Sequence, residues 1–237
     1  MAYEEEIRRQ RQYYADTAAQ YDALQLAPQD EHQFALAVLS AMIEHHGIRS
    51  VLDVGSGTGR ALRYLKARHP GVRFVGIEPV EALRKVGHAA GLAEQELIAG
   101  DVNALQAADG EFELVCEFAV LHHVPRPAQA VAEMLRVARK AIFISDANNL
   151  GQGGRVARTL KQVLAALGLW RAFDWARTGG KGYHVSAGDG LFYSYSVFNN
   201  YRQIRAACAA VHCFNTVDAA PDLRRSAPHV ALFGLKQ

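Results

Sequence analysis

Three glycines spaced two apart, Gly55, Gly57 and Gly59, follow the apolar run Val51-Leu-Asp-Val54 and precede a stretch of helical periodicity. A turn built this way lets the backbone approach a ligand closely, and the start of the helix offers unpaired N–H groups. The spacing is GxGxG, whereas the dinucleotide fingerprint GxGxxG needs a glycine at position 60, where Arg60 stands. Asp53, inside the strand two residues before the first glycine, is an awkward neighbour for a pyrophosphate. It suits a ligand carrying an ammonium or a sulfonium. Further along, the consecutive His122 and His123 are candidate general bases, since imidazole titrates near neutrality. The alternative is that one packs under a loop while the other is solvated. Asp146 and Asn148 stand just beyond the fifth apolar run, where they either contact a substrate or only shape the turn and cap a helix.

These residues need elements to position them, and the periodicity supplies a series. Residues 1–22 are charged, tyrosine-rich and read as helix, and Phe34, Ala37, Val38, Ala41 and Met42 form a second helix that Gly47 stops. Strands follow at 50–55, 72–77, 97–99, 112–118 and 141–144. The helices between them carry Leu62 and Leu65, then 81–90, then the face of Val131, Met134, Leu135 and Ala138 begun by Pro127. Such alternation over about 100 residues predicts an α/β fold with a parallel sheet covered on both faces. After Asn149 the alternation lapses. Residues 151–198 read as an insertion with one amphipathic helix, both tryptophans and a glycine-punctuated aromatic run. A helix through Tyr201, Ile204, Cys208 and Val211 then leads to two strands, 212–217 and 229–235, that close the chain as a hairpin.

Composition narrows the function classes. The 237 residues are half apolar and 21% charged, with a net charge of +2, which excludes a generally polycationic nucleic-acid binder. Three cysteines without CxxC spacing argue against a disulfide scaffold or zinc module, so no metal is expected and a reducing, cytoplasmic setting fits. The longest apolar run is half of what a membrane span needs, and no signal peptide is visible, so no membrane partner is expected.

With the glycine loop, Glu78 at the end of the second strand and Asp101 in Ala99-Gly-Asp-Val102, the sequence resembles the class I S-adenosylmethionine-dependent methyltransferases of the small-molecule type. The resemblance covers residues 48–147 strongly and the closing helix and hairpin loosely. It implies a single Rossmann-like, doubly wound domain over residues 1–237, with seven strands in the order 3-2-1-4-5-7-6 and the last antiparallel. Residues 1–47 form an N-terminal helical cap. The ligand then lies across the carboxyl ends of the strands at the topological switch point. It further implies S-adenosyl-L-methionine as cofactor, held by Asp53, Gly55, Ser56, Gly57 and Gly59. Glu78 accepts from both ribose hydroxyls, Pro79 follows it, and Asp101 and Val102 meet the adenine. Phe118 and Leu121-His-His-Val124 flank the methionine part and face the acceptor, and Tyr21, in Tyr14-Ala-Asp-Thr-Ala-Ala-Gln-Tyr-Asp22, belongs to a segment that closes over the cofactor.

The implied reaction is direct displacement of the methyl group by an acceptor atom, with a base needed only for a protonated nucleophile; His122, His123 and Asp146 are the catalytic candidates. The insertion leaves the fifth strand beside the expected methyl position, so 151–198 is read as an acceptor cover. An oligomer-forming insertion, giving a homodimer, is the alternative. Asn148, Tyr193 and Tyr195 are the substrate-side candidates. The two tyrosines share one face if their run is extended. Six basic residues between Arg155 and Lys181 face one acid, Asp174: either a solvated helix face, or recognition of an acidic small-molecule acceptor, or base stacking with Trp170 and Trp175. A nucleic-acid methyltransferase, a non-catalytic S-adenosylmethionine-binding protein and an NAD-dependent oxidoreductase are the rival functions.

Overall fold

The computed structural model describes residues 2–22, 31–217 and 220–236. Of the N-terminal cap, Met1 and residues 23–30 lie outside the described residues. Helices α1 (Ala2–Thr17) and α2 (Glu31–His45) precede β1 (Ser50–Val54), α3 (Arg60–Arg68), β2 (Arg73–Ile77), α4 (Glu81–Ala89), β3 (Leu97–Ile98) and β4 (Phe112–Phe118). Then come α5 (Pro127–Val137), β5 (Ala138–Ala147), α6 (Arg155–Ala166), α7 (Trp170–Arg177), β6 (His184–Ser186), β7 (Gly190–Phe192), α8 (Tyr201–Ala207), β8 (Ala210–Asn215) and β9 (His229–Leu235).

Seven strands form one sheet in the order β3-β2-β1-β4-β5-β9-β8, the order expected once the two short strands of the insertion are set aside. Strands β1 to β5 pair in parallel, while β9 runs antiparallel to both β5 and β8. Both faces of the sheet are covered, which is why its central strands are apolar at nearly every position. On one face Val131 and Met134 of α5 and Ile204 of α8 pack with Leu52, Val115 and Ile142. On the other, Leu36 and Leu39 of α2 and Leu62 and Leu65 of α3 pack with Val51, Leu114 and Phe143.

Several boundaries differ from those the sequence pattern predicts: β8 runs over Ala210–Asn215 instead of 212–217, and the insertion holds a second helix, α7, beside the one expected. Strand β5 starts at Ala138 because α5 passes into it without a loop, a junction held by Lys236 Nζ, which donates to Leu135 O and Ala138 O at 2.9 and 2.7 Å. Helix α8 ends at Ala207: Cys208 turns extended and is buried against Gly234 of β9, so sheet packing overrides the helical spacing. The aromatic run is extended only as far as Phe192, where β7 pairs with β6 in a separate two-stranded ribbon.

The insertion is rooted by Asn148. Its Nδ2 donates to Arg224 O and Ala227 O at 3.0 and 2.8 Å, and its Oδ1 accepts from Ser196 Oγ at 2.9 Å. Beside it the backbones are so close that a Cβ on Gly151 would lie 2.0 Å from Ala227 O. Gly151→Ala is therefore expected to cost about 1–3 kcal/mol of stability, the usual range for overpacking. An unaltered denaturation midpoint in urea would contradict this packing.

Candidate active site

Opposite crossovers on the two sides of β1 and β4 open a crevice at the carboxyl ends of the sheet, and three adjoining cavities occupy it. The first, about 840 Å³ with its open mouth, is lined by Gly55, Gly57, Glu78, Pro79, Asp101, Val102 and Phe118. The second lies against Asp53, Ser56, Tyr21 and Arg60. The third, about 1380 Å³ with its mouth, is bounded by His122, Asn149, Lys161, Arg177, Tyr193 and Tyr195. Ala119 borders all three. It has φ +57°, the one positive value at a non-glycine among the described residues. Its N–H donates to Ser145 O at 2.8 Å, which fixes this costly conformation where β4 opens into the site.

The glycine loop is bound to β2. The N–H groups of Gly55 and Ser56 both donate to Ile77 O at 2.9 Å, and Glu78 closes the turn by accepting from Gly57 N at 3.0 Å and Val80 N at 2.8 Å. Burial outweighs these two bonds and pushes the Glu78 carboxyl up to about 7. Each of its oxygens keeps further acceptor capacity toward the cavity. Gly57, at φ +56°, could not carry a side chain freely, because a Cβ there would meet the Tyr21 ring at 3.3 Å. Asp53 lies deeper. Burial lifts it to about 6, and Cys116 Sγ reaches its Oδ1 at 3.7 Å, while Oδ2 has no hydrogen-bond partner among the described residues.

Helix α1 and the β6–β7 ribbon form the roof. Gln10 accepts from Leu191 N through Oε1 and donates to Asp189 O through Nε2, Tyr13 donates to Ala187 O, and Tyr193 donates to Glu6. Arg11 of the same helix ion-pairs with Asp101 at 2.6 Å inside the first cavity. Neither Gln10 nor Arg11 stands out in the sequence, where they belong to an ordinary charged helical stretch.

Beneath this roof the two histidines differ in environment. His122 donates from Nδ1 to the fully buried Asp146 at 2.6 Å, and its Nε2 faces Asp189 at 3.4 Å. Burial opposes the imidazolium, but Asp146 and then Asp189 overcome it and push His122 up to about 10. His123 goes the other way. Burial and the neighbouring His122 charge lower it; its Nδ1 donates to Leu191 O at 2.7 Å, which leaves Nε2 to accept from Tyr14 O–H at 2.9 Å. His122 borders the third cavity and His123 the first two.

The structure thus gathers Tyr21, Asp53, Gly55, Ser56, Gly57, Glu78, Pro79, Asp101, Val102 and Phe118 around the first two cavities. Gly59 stands behind them as the residue before α3, at φ +74°. Asp146 reaches the site through His122. Asn148 does not border the third cavity: its side chain is consumed in rooting the insertion, and Asn149 lines the wall instead. Tyr193, Ser194 and Tyr195 all do border it, because the chain bends after β7 and the alternation of an extended strand no longer applies. Asp189, Lys161 and Arg177 complete the constellation, and only the basic pair had a signal in the sequence, as part of the charge run.

Residues 52–144 match the family described as a methyltransferase domain. The chain is 36% identical over 134 residues to an uncharacterised methyltransferase of Mycobacterium avium, a stretch covering 53% of this chain and 44% of that one. It is 33% identical over 129 residues to a demethylmenaquinone methyltransferase of Renibacterium salmoninarum, covering 53% and 52%. These matches span about half the length of either relative. Among solved structures it shares a fold with the Burkholderia thailandensis 1,6-didemethyltoxoflavin-N1-methyltransferase bound to 1,6-didemethyltoxoflavin and S-adenosylhomocysteine. The TM-score is 0.62 at 19% identity over 100% of this chain and 91% of that one. Over residues 52–144 the chain is thus similar to a methyltransferase domain, and its fold is that of solved methyltransferases.

The His122 environment predicts a titration. Its folded value lies above the ordinary imidazole value of about 6.5, so its contribution to stability is complete below that pH and is lost as pH rises through about 10. The stability difference between wild type and His122→Gln should accordingly be largest near pH 6 and shrink toward pH 10. Nitrogen chemical shifts showing His122 neutral at pH 7.5 would contradict the assignment.

Proposed function

We propose that the protein binds S-adenosyl-L-methionine across the first two cavities and transfers its methyl group to a small, acid-bearing acceptor held in the third. The observation that carries the reading is their continuity at Ala119, which gives a donor site and an acceptor site one common wall. The residues fit the donor. Glu78 has acceptor capacity for a diol, and the unpartnered Asp53 Oδ2 offers a buried anion beside the second cavity, where a cationic ligand would compensate its burial. Pro79, Asp101 and Val102 would border the adenine, and Phe118 and Tyr21 the methionine part.

When bound, the donor supplies an activated methyl group on a sulfonium, whose C–S bond breaks as the acceptor atom bonds to the methyl carbon. Such a leaving group needs little chemical assistance, so the protein's task is alignment and exclusion of water. Helix α1 and the ribbon, joined through Gln10, Tyr13 and Tyr193, serve the second purpose, and on this reading residues 151–198 act as the acceptor cover. A base at neutral pH has to be deprotonated, whereas Asp146 and Asp189 hold His122 as an imidazolium. The role that fits is to hold an anionic acceptor oxygen or nitrogen in the third cavity, with Lys161 and Arg177 on the same wall. His123, neutral and fixed by Tyr14 and Leu191, is a positioning residue of the donor wall.

Glu78→Ala is expected to weaken donor binding by about 1.5–3 kcal/mol, the range for hydrogen bonds to a charged group. Calorimetry giving an unchanged Kd in a folded variant, or binding of NAD in place of the donor, would refute the donor assignment. For the acceptor side, His122→Gln should lower kcat by roughly 10²–10⁴ with donor affinity nearly constant. Activity of the wild type should decline above pH 10 as the imidazolium is lost. A rate that instead climbs steadily to that pH would identify His122 as a base.

A further inference from the structure

Helices α6 and α7 are amphipathic but mounted inside out. Along α6 and its C-terminal cap, Val156, Leu160, Val163 and Leu167 recur at spacings of four, three and four, which gathers them within about 60° of the helix circumference. This stripe points to solvent: the four are 85, 50, 50 and 64% exposed, and no residue of α6 is buried. The polar face is the one that docks. Lys161 donates to Asn149 O and Gln152 O, and Gln162 donates to Leu150 O and Arg225 O. Helix α7 repeats the arrangement. Asp174 is turned inward and buried, where it pairs with Arg177 and His184, while Phe173 and Trp175 on either side of it are exposed.

An apolar stripe of this size on a soluble surface calls for a partner, and its charge selects among them. Exposed Arg155, Arg171 and Lys181 belong to the same segment, while Arg158 lies on the docked side of α6 between Lys161 and Gln162, and the one acid of the hairpin is internal. A second copy would set these cations against their own equivalents. A nucleic acid would match the charge but leave the aliphatic stripe unused. An anionic bilayer surface satisfies both, since it takes the apolar stripe into its acyl boundary and the cations among its headgroups. We infer that the α6–α7 hairpin docks the protein on anionic lipid surfaces without crossing them. Among the described residues no helix is long and apolar enough to span a membrane. The inference stands on the hairpin alone and holds whether or not the chain transfers methyl groups.

The chain carries its own probes, because both tryptophans, Trp170 and Trp175, lie in α7. Vesicles of phosphatidylcholine with phosphatidylglycerol should shift the tryptophan emission to the blue and carry the protein up in flotation. Pure phosphatidylcholine should do so far less, and added salt should weaken the effect. The double variant Leu160→Asp and Leu167→Asp, at exposed positions, should keep the wild-type unfolding midpoint and partition at least about tenfold more weakly. Absence of any shift with anionic vesicles at low salt would overturn the inference, as would equal partitioning of the double variant. A concentration-dependent dimer that the same substitutions disperse, without vesicle binding, would assign the stripe to a second copy instead. Binding of a single-stranded oligonucleotide but not of vesicles would assign it to nucleic acid.

Discussion

Everything in the site follows from the requirement that five parallel strands end on the same side. Crossovers that leave β1 and β4 in opposite directions cannot both cover the gap between them, so a crevice opens at the carboxyl ends. The residues at those ends are the ones available for chemistry: the glycine loop after β1, Glu78 after β2, Phe118 and Ala119 at the exit of β4, Asp146 near the end of β5. The apolar interior of the sheet leaves them no role in packing. Their polar groups face one another and the cavities.

That crowding of polar groups in a buried place sets the electrostatics. Asp53, Glu78, Glu117 and Asp146 are all carboxyls with little exposure, and they differ in what compensates them. Glu78 has two backbone donors and Asp146 has His122, whereas Asp53 and Glu117 each keep an oxygen without a partner among the described residues. Burial raises Asp53 and Glu117, while the imidazolium beside Asp146 lowers it. On the proposed reading, a cationic donor would compensate the buried carboxyls under the crevice, and the cationic side chains on the third cavity's wall would meet an acceptor of the opposite charge. One fold thereby presents two electrostatic environments on the two sides of Ala119.

The additions to the sheet are tied together across the crevice instead of each being tied to the core. Helix α1 holds the β6–β7 ribbon through side chains of Glu6, Gln10 and Tyr13, and the ribbon in turn carries Asp189 to the two histidines. Opening the roof would break these bonds together, so access to the cavities beneath it and the protonation of His122 are physically linked. The helical hairpin lies outside this lock. It is fastened by Lys161 and Gln162 to the loops beside β5 and β9, and it keeps its apolar side turned away from the body.

Local chemistry was readable from the sequence wherever it depends on neighbours in the chain. Alternating apolar runs and glycine punctuation determined the parallel sheet, its strand order was implied by the family resemblance, and the GxGxG turn with Asp53, Glu78 and Asp101 marked one side of the crevice, because each of these sits at a strand end whose position the periodicity already defines. What needed the tertiary structure was every relation between distant segments. Gln10 and Arg11 become part of the site only when α1 is laid across the crevice, and Asp189 only when the ribbon returns to His122, 67 positions earlier in the sequence. Asn148, polar and two residues after Asp146, could equally have faced a substrate; the loop at 223–227 claims its side chain. The amphipathic pattern of α6 was visible as a pattern, but which side faces the body was not. Periodicity gives a helix two faces and says nothing of which one the rest of the chain will cover; here Lys161 and Gln162 find backbone carbonyls to bind, and the apolar stripe is left outside.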